Sequence, residues 1–264
     1  AVLNEANAAE WRLETAVHIE AAKKLIQKPV NADAGVASIL ALGEKLSAAL
    51  IARALKQDGA SCHWLCSESL IKTMGSHLNA RLDGKSTQPC FSGLRNALRR
   101  TQITVITGFS ASNKKGQTTL LGRNASDYSA AIVAKYTGSE SVELFGDTGG
   151  ILSADPDYVP GANTIAALTF NDAIQLAKSG SGILHPRTVE PLIDSGINLR
   201  LSDISDAGTT LVSGKIEHRA QSFIATWSPV ENPQLSKTPA LPNHLQSWQN
   251  NAPQASVISV FLAD

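Results

Sequence analysis

Net charge, cysteine, methionine and long apolar runs are all scarce in this chain, and each scarcity excludes something. Lysine plus arginine and aspartate plus glutamate both total 23, so no global field draws the chain to nucleic acid or to a membrane surface. The apolar runs fall short of a membrane span. The amino-terminal stretch AVLNEANAAEWRLETAVHIEAAKKL is charged and helical in pattern, unlike a signal peptide. Cys62, Cys66 and Cys90 form an odd set without framework spacing. The string Cys62-His63-Trp64-Leu65-Cys66 lacks a fourth ligand, so no metal is expected there, and reduced thiols of a cytoplasmic protein are expected instead. Met74 is the single methionine, so Ala1 is not expected to be a natural start. No internal repeat is visible. What remains is a chain of 264 residues, enough for one large core or one domain with appendages.

Helices and strands alternate along it. Residues 1–28 favour helix, stopped by Pro29. After a loop NADAG, a helix is expected from about Ala37 to Lys56, with Ile39, Leu42, Leu46, Leu50 and Ala54 as its apolar stripe and Gly59 as its stop. Cys62 to Leu65 is a short strand, residues 72–90 read as polar and irregular, and Phe91 to Arg100 reads as helix. Strand 103–107, helix 126–136 and strand 141–145 follow, then the turn-rich GDTGGILSADPD. Thr169 and Asp172 form a capping box for a helix that Gly180 ends. A further helix is expected to start with Pro186 in its first turn and to end at Gly196, before strand 197–202. Such an order predicts a parallel sheet covered on both faces, with ligands at the carboxyl ends of its strands. From Trp227 to Gln254 the prolines read as a linker, and the run Ser256 to Leu262 reads as a strand without a visible partner.

The most informative stretch is Val105 to Asp127, VITGFSASNKKGQTTLLGRNASD. It predicts a buried strand, a Gly-Phe exit, a polar loop and a helix opened by Gly-Arg-Asn-Ala-Ser-Asp. A helix start carries unpaired N–H groups and the positive end of the macrodipole, so anions bind there. Arg123 adds a planar fork suited to a carboxylate, and Ser126 and Asp127 are good capping residues. This segment resembles the substrate loop of aspartokinases, GF-x-G…T-T-L-G-R-G-G-S-D. Leu40 to Ala48 resembles that family's L-x-S-x-G-E-x-L-S-A. Gly146 to Pro156 is similar to its nucleotide loop, Ile183 to Thr188 to its V-L-H-P-x-T, and Gly208-Thr209-Thr210 to its closing G-T-x-I.

The resemblance implies the amino acid kinase (carbamate kinase-like) fold, an α/β three-layer α/β/α sandwich on a mainly parallel sheet. It implies transfer of the γ-phosphoryl of ATP, with Mg²⁺, to the side-chain carboxylate of L-aspartate, the first step of lysine, threonine and methionine synthesis. Asn124 in place of Gly resembles the methionine-branch bifunctional aspartokinase–homoserine dehydrogenases, which implies a possible fused dehydrogenase; self-association is usual in the family. On this pattern residues 1–225 form the kinase-like domain and 226–264 a Pro-rich linker and terminal strand.

By resemblance, Glu44 holds the substrate α-amino group and Arg123 its α-carboxylate, with Asn124, Ala125 and Ser126 beside them. Asp127 organises the catalytic lysine. Gly146, Asp147, Leu152 and Ile183 line the adenosine site, with Asp157 and Gly182 at positions that are usually basic. Structural readings stand beside these: Glu44 as a first-turn charge on its helix, Asp127 as a cap, His185 as the residue leading into a helix, and Lys114-Lys115 as a solvated loop tip. Three departures matter. The lysine-bearing K-x-G-G-[ST] loop is not found upstream of Glu44, Asp157 and Gly182 replace cations, and Ala125 replaces a glycine, which predicts strain if that position needs positive φ. The alternative function is therefore a non-catalytic aspartokinase-like domain with a structural, sensing or assembly role.

Overall fold

The computed structural model describes residues 2–27, 32–98, 103–123, 125–146, 149–154, 161–178, 184–185, 187–204, 208–216, 223–227 and 257–261. The chain divides into two compact units, Ala1–Thr137 and Gly138–Asp264.

In the first unit, α1 (Glu5–Gln27) packs along α2 (Ala32–Gln57). The two are tied by Arg53, which pairs with Glu10 and lies 3.0 Å from Glu14, and by Trp11 Nε1–H donating to Leu46 O at 3.2 Å. Two features of α2 differ from the sequence expectation. The helix starts at Ala32 and runs through Gly35 instead of beginning after the NADAG loop. Its fully buried positions are Ala37, Ala41, Ala48, Ala49 and Ala52, whereas Ile39, Leu42, Leu46, Leu50 and Ala54 are only half-buried. Small side chains let neighbouring backbones come close, so alanine faces the interior and the longer residues flank it. By length and hydropathy (25 residues, 1.5) Asp33–Gln57 is apolar enough to cross a membrane, contrary to the reading from apolar runs. Here it packs against α1 and four strands of the first unit.

The chain continues through β1 (Cys62–Leu65), α3 (Ser67–Leu70), β2 (Lys72–Met74), β3 (Arg81–Leu82), α4 (Gly84–Thr87) and α5 (Phe91–Leu98). Next come β4 (Ile103–Ile106), β5 (Ser110–Asn113), β6 (Thr118–Leu120) and α6 (Ser126–Thr137). β1 and β4 pair in parallel, and a second sheet has the order β3-β2-β5-β6. The "irregular" residues 72–90 and the polar loop thus contain four strands. Thr73, Ser110, Ser112 and Thr119 of these strands are buried, as are the neighbouring Ser67 and Thr107. Ser67 Oγ lies 2.8 Å from Thr107 Oγ1 and donates to Ser110 O at 2.6 Å, and Thr73 Oγ1 lies 2.7 Å from Thr119 Oγ1. Hydroxyl groups that satisfy one another can be buried without penalty, which hides such strands from a hydrophobic-pattern reading.

The second unit holds β7 (Ser141–Phe145), β8 (Ala167–Leu168), α7 (Phe170–Lys178), α8 (Glu190–Ile193), β9 (Asn198–Ser202) and β10 (Thr209–Val212). Its sheet has the order β7-β9-β10-β8, parallel except between β9 and β10. The capping box of α7 forms as expected: Thr169 N–H donates to Asp172 Oδ2 (3.0 Å) and Asp172 N–H to Thr169 Oγ1 (3.2 Å). Pro186, expected to open the next helix, lies outside the described residues. Thr188 N–H donates to His185 O, and α8 begins at Glu190, with Pro191 in its first turn. The terminal strand does have a partner. β11 (Phe223–Trp227) pairs antiparallel with β12 (Val257–Phe261). Pro29 and Gly180 lie outside the described residues.

Candidate functional site

Glu44 is the thirteenth residue of α2, not a first-turn residue, so attraction to the helix amino terminus does not explain it. It is half-buried, and among the described residues no hydrogen bond or ion pair engages its carboxylate. The adjacent Lys45 is committed elsewhere, its Nζ 2.7 Å from Glu68 Oε1 in an ion pair that is mostly buried. Cys66 lies beside this pair, and burial together with the Glu68 charge pushes its thiol up to about 11. His63, the other member of that string, faces Thr104 Oγ1 at 3.2 Å.

Arg123, the cation of the anion site, is exposed, and among the described residues its guanidinium has no partner. It follows Gly122, whose φ of 115° suits glycine. α6 begins at Ser126, so Ser126 and Asp127 lie inside the first turn instead of capping it. Ser126 is exposed and Asp127 half-buried. Burial raises the Asp127 pKa, opposed by a hydrogen bond from Ser126. Ala125 is fully buried and has no positive φ, so the strain expected there is absent. Among the described residues the strained non-glycine position is Phe109, with φ 64°.

Packing links the elements that carry these groups. Phe109 sits against Ala37, Ala41 and Leu120, and Ala41 is one helical turn before Glu44. A Cβ placed on Gly108 would lie 3.2 Å from Ser126 Cβ, so the β4 exit runs against the first turn of α6. Lys114 and Lys115 lie at the β5–β6 turn, Lys114 largely exposed and 3.4 Å from Asp83 Oδ2, which fits a solvated tip.

In the second unit, Gly149 to Ser153 forms a hairpin-like pairing with Asn163 to Ile165, bridged at Leu152 and Thr164. Thr210 lies beneath it, accepting Ile151 N–H at 2.7 Å and donating to Ile165 O at 2.6 Å. Gly150 (φ 84°) and Gly208 allow this closeness: a Cβ on Gly208 would sit 2.6 Å from Gly149 O. Two separate sequence motifs are thereby joined into one backbone surface, with Leu152 half-buried on it and Gly146 N–H held by Ser202 O at 2.9 Å. The part played by Thr210 was not foreseen; the only sequence signal for it was its place in Gly208-Thr209-Thr210. His185 is buried, its Nδ1 accepting Arg187 N–H at 3.2 Å, and burial, with Arg187, pushes its pKa down to about 4. Asn124, Asp147, Asp157, Gly182 and Ile183 lie outside the described residues.

Residues 2–203 match the amino acid kinase family, and the chain belongs to it. The fold agrees: E. coli aspartokinase III, solved with aspartate and ADP, superposes with a TM-score of 0.73 at 24% identity, over 96% of this chain and 61% of that one. Within the family, the chain is similar to aspartokinases. It is 33% identical over 165 residues to a bifunctional aspartokinase/homoserine dehydrogenase of Haemophilus influenzae, covering 62% of this chain and 20% of that protein. It is 32% identical over 196 residues to bifunctional aspartokinase/homoserine dehydrogenase 2 of Escherichia coli, covering 74% and 24%. The chain thus spans a fifth to a quarter of the length of these two relatives.

Proposed function

We propose that this chain is the kinase portion of an aspartokinase, moving the γ-phosphoryl of ATP to the side-chain carboxylate of L-aspartate to give 4-phospho-L-aspartate. The observation that carries this is an unengaged carboxylate, Glu44 on α2, and an unengaged guanidinium, Arg123 just before α6, with α2 and the start of α6 linked through Phe109 and Gly108. One charge suits an ammonium and the other a carboxylate, which is the pattern of an α-amino acid. A free aspartate side chain has a pKa near ~3.9, so it is already an anion at pH 7 and needs no general base. The protein's task is then in-line positioning and neutralisation of phosphate charge.

Glu44 takes the α-amino group and Arg123 the α-carboxylate. Asn124, Ala125 and Ser126 flank the substrate, and Asp127 orients a catalytic lysine. Gly146, Asp147, Leu152 and Ile183 border the adenosine, with Asp157 and Gly182 near the phosphates. Among the described residues no group of three His, Cys, Asp or Glu converges into a metal cage. Mg²⁺ fits here as an ion carried on the ATP phosphates, and no step is assigned to it. A fused homoserine dehydrogenase and self-association belong to the same reading, as does a cytoplasmic setting.

The test is calorimetric binding of L-aspartate and of ADP to the chain and to Arg123→Ala, with hydroxylamine trapping of aspartyl phosphate. Aspartate affinity is expected to fall at least about 30-fold in the variant while ADP affinity holds. Unchanged aspartate affinity overturns the assignment. Asp157 and Gly182, standing at usually basic positions, favour one second reading, a domain that binds aspartate without catalysis. Hydroxamate formation eliminates that reading; binding without hydroxamate leaves that reading and a kinase portion lacking its K-x-G-G-[ST] lysine loop, which the coding sequence upstream separates.

A further inference from the structure

Phe109 is held in an unusual way. Ser110 N–H closes back on Gly108 O at 2.6 Å, and the residue between them has φ 64°. This is the rare, strained form of the three-residue γ-turn, and strain of this kind persists only where surrounding contacts enforce it. The enforcing contacts are visible. Phe109 N–H donates to Ser129 Oγ at 2.9 Å, and that hydroxyl donates in turn to Ala125 O at 2.9 Å. Phe109 O accepts Leu121 N–H at 3.0 Å. Ser129 is 2% exposed, so water cannot replace its hydroxyl.

The turn aims the Phe109 ring as a wedge. On one side it meets the alanine face of α2 one turn before Glu44. On the other it joins the core around Leu121, Ala125, Tyr128 and Ile132 of the α6 region. A glycine would satisfy the turn without strain, but it could not fill the space between the two elements. The strained turn therefore couples the placement of Glu44 to that of the Arg123–Asp127 segment.

We propose that Ser129 is a positioning residue of the aspartate site, pinning the Phe109 amide so that the ring sets the spacing between α2 and the start of α6. The proposal rests on the aspartate reading above. Ser129 touches no substrate in this account and acts only through Phe109. A shift on the order of 1 Å between groups that grip one small molecule costs up to about 100-fold in rate or binding.

The test is a graded series, Ser129→Cys and Ser129→Ala, read by aspartate affinity, ADP affinity and hydrogen exchange at the Phe109 amide. Expected is a fall in aspartate affinity of at least about 30-fold for Ala, a smaller fall for Cys, ADP affinity within about twofold, and faster Phe109 exchange in the same order. Gly108→Ala approaches the same contact from the other side, because its Cβ would press on Ser126. It is expected to weaken aspartate binding likewise, and it carries the test if Ser129→Ala does not fold. Aspartate affinity within twofold of the unaltered chain, with Phe109 exchange accelerated, overturns the proposal and leaves the aspartate reading intact. Failure of the unaltered chain to bind aspartate overturns that reading first, and the proposal with it.

Discussion

In the first unit the candidate site consists of charged side chains on α2 and on the segment leading into α6, whereas the second unit offers backbone shaped by glycines over a buried threonine. Glu44 and Arg123 can be changed with little effect on the fold, since neither is engaged by another described residue. Gly150, Gly208 and Thr210 cannot, since each is in contact with the backbone opposite. Charged groups that grip a small zwitterion are separable from the scaffold, but a surface made of backbone is the scaffold itself. The two units should therefore respond differently to substitution.

The strongest way to break that comparison is Thr210→Val. It leaves Ile151 N–H and Ile165 O buried without partners, and a loss of about 3 kcal/mol in unfolding free energy is expected. Urea denaturation measures it, and a loss under 1 kcal/mol would mean the hairpin is not built on this hydroxyl. Glu44→Gln should show the opposite behaviour. Aspartate affinity should fall about tenfold or more, roughly 1.4 kcal/mol, with stability changed by no more than about 0.5 kcal/mol.

A third prediction concerns pH. His185 has a pKa of about 4 in the folded chain against an ordinary 6.5, so the unfolded chain binds the extra proton between these values. Stability on this account is fully present above about pH 6.5. It declines as pH falls towards 4 with a slope approaching ~1.4 kcal/mol per pH unit. Urea midpoints of the unaltered chain and His185→Gln across that window check it: the variant should show the shallower slope. The smallest effect sharpens the comparison within one helix. Gly35 and Gly43 both lie inside α2, and a Cβ at either meets nothing within 4 Å. Alanine at either should stabilise by roughly 0.5–1 kcal/mol, but only Gly43→Ala, beside Glu44, should also weaken aspartate binding.

Much of the architecture was legible in the chain. Helices α1, α6 and α7, with the Thr169–Asp172 box, follow from periodicity and capping. Strands β5, β6 and β2 were not legible, because most of their internal residues are serines and threonines that find partners inside and leave no apolar alternation, and β3 is only two residues long. The same blindness affected α2, where the interior face is alanine and the longer residues suggested a different stripe.

For the candidate site, residue types and motif order offered Glu44, Arg123 and Asp127 as candidates, since a helix start with an arginine fork suits a small acid whatever surrounds it. The sequence alone misplaced the strain. Ala125 was suspect by analogy with glycine, yet the positive φ falls on Phe109, because backbone conformation depends on contacts that come from distant parts of the chain. The first turns of α2 likewise pack Ala37 and Ala41 against Leu120 and Phe109, which are far away in sequence. Chemistry local to a few residues is written in their order. Which amide Ser129 pins, and which glycine lets Thr210 reach Ile151, are set by close packing between segments far apart in sequence.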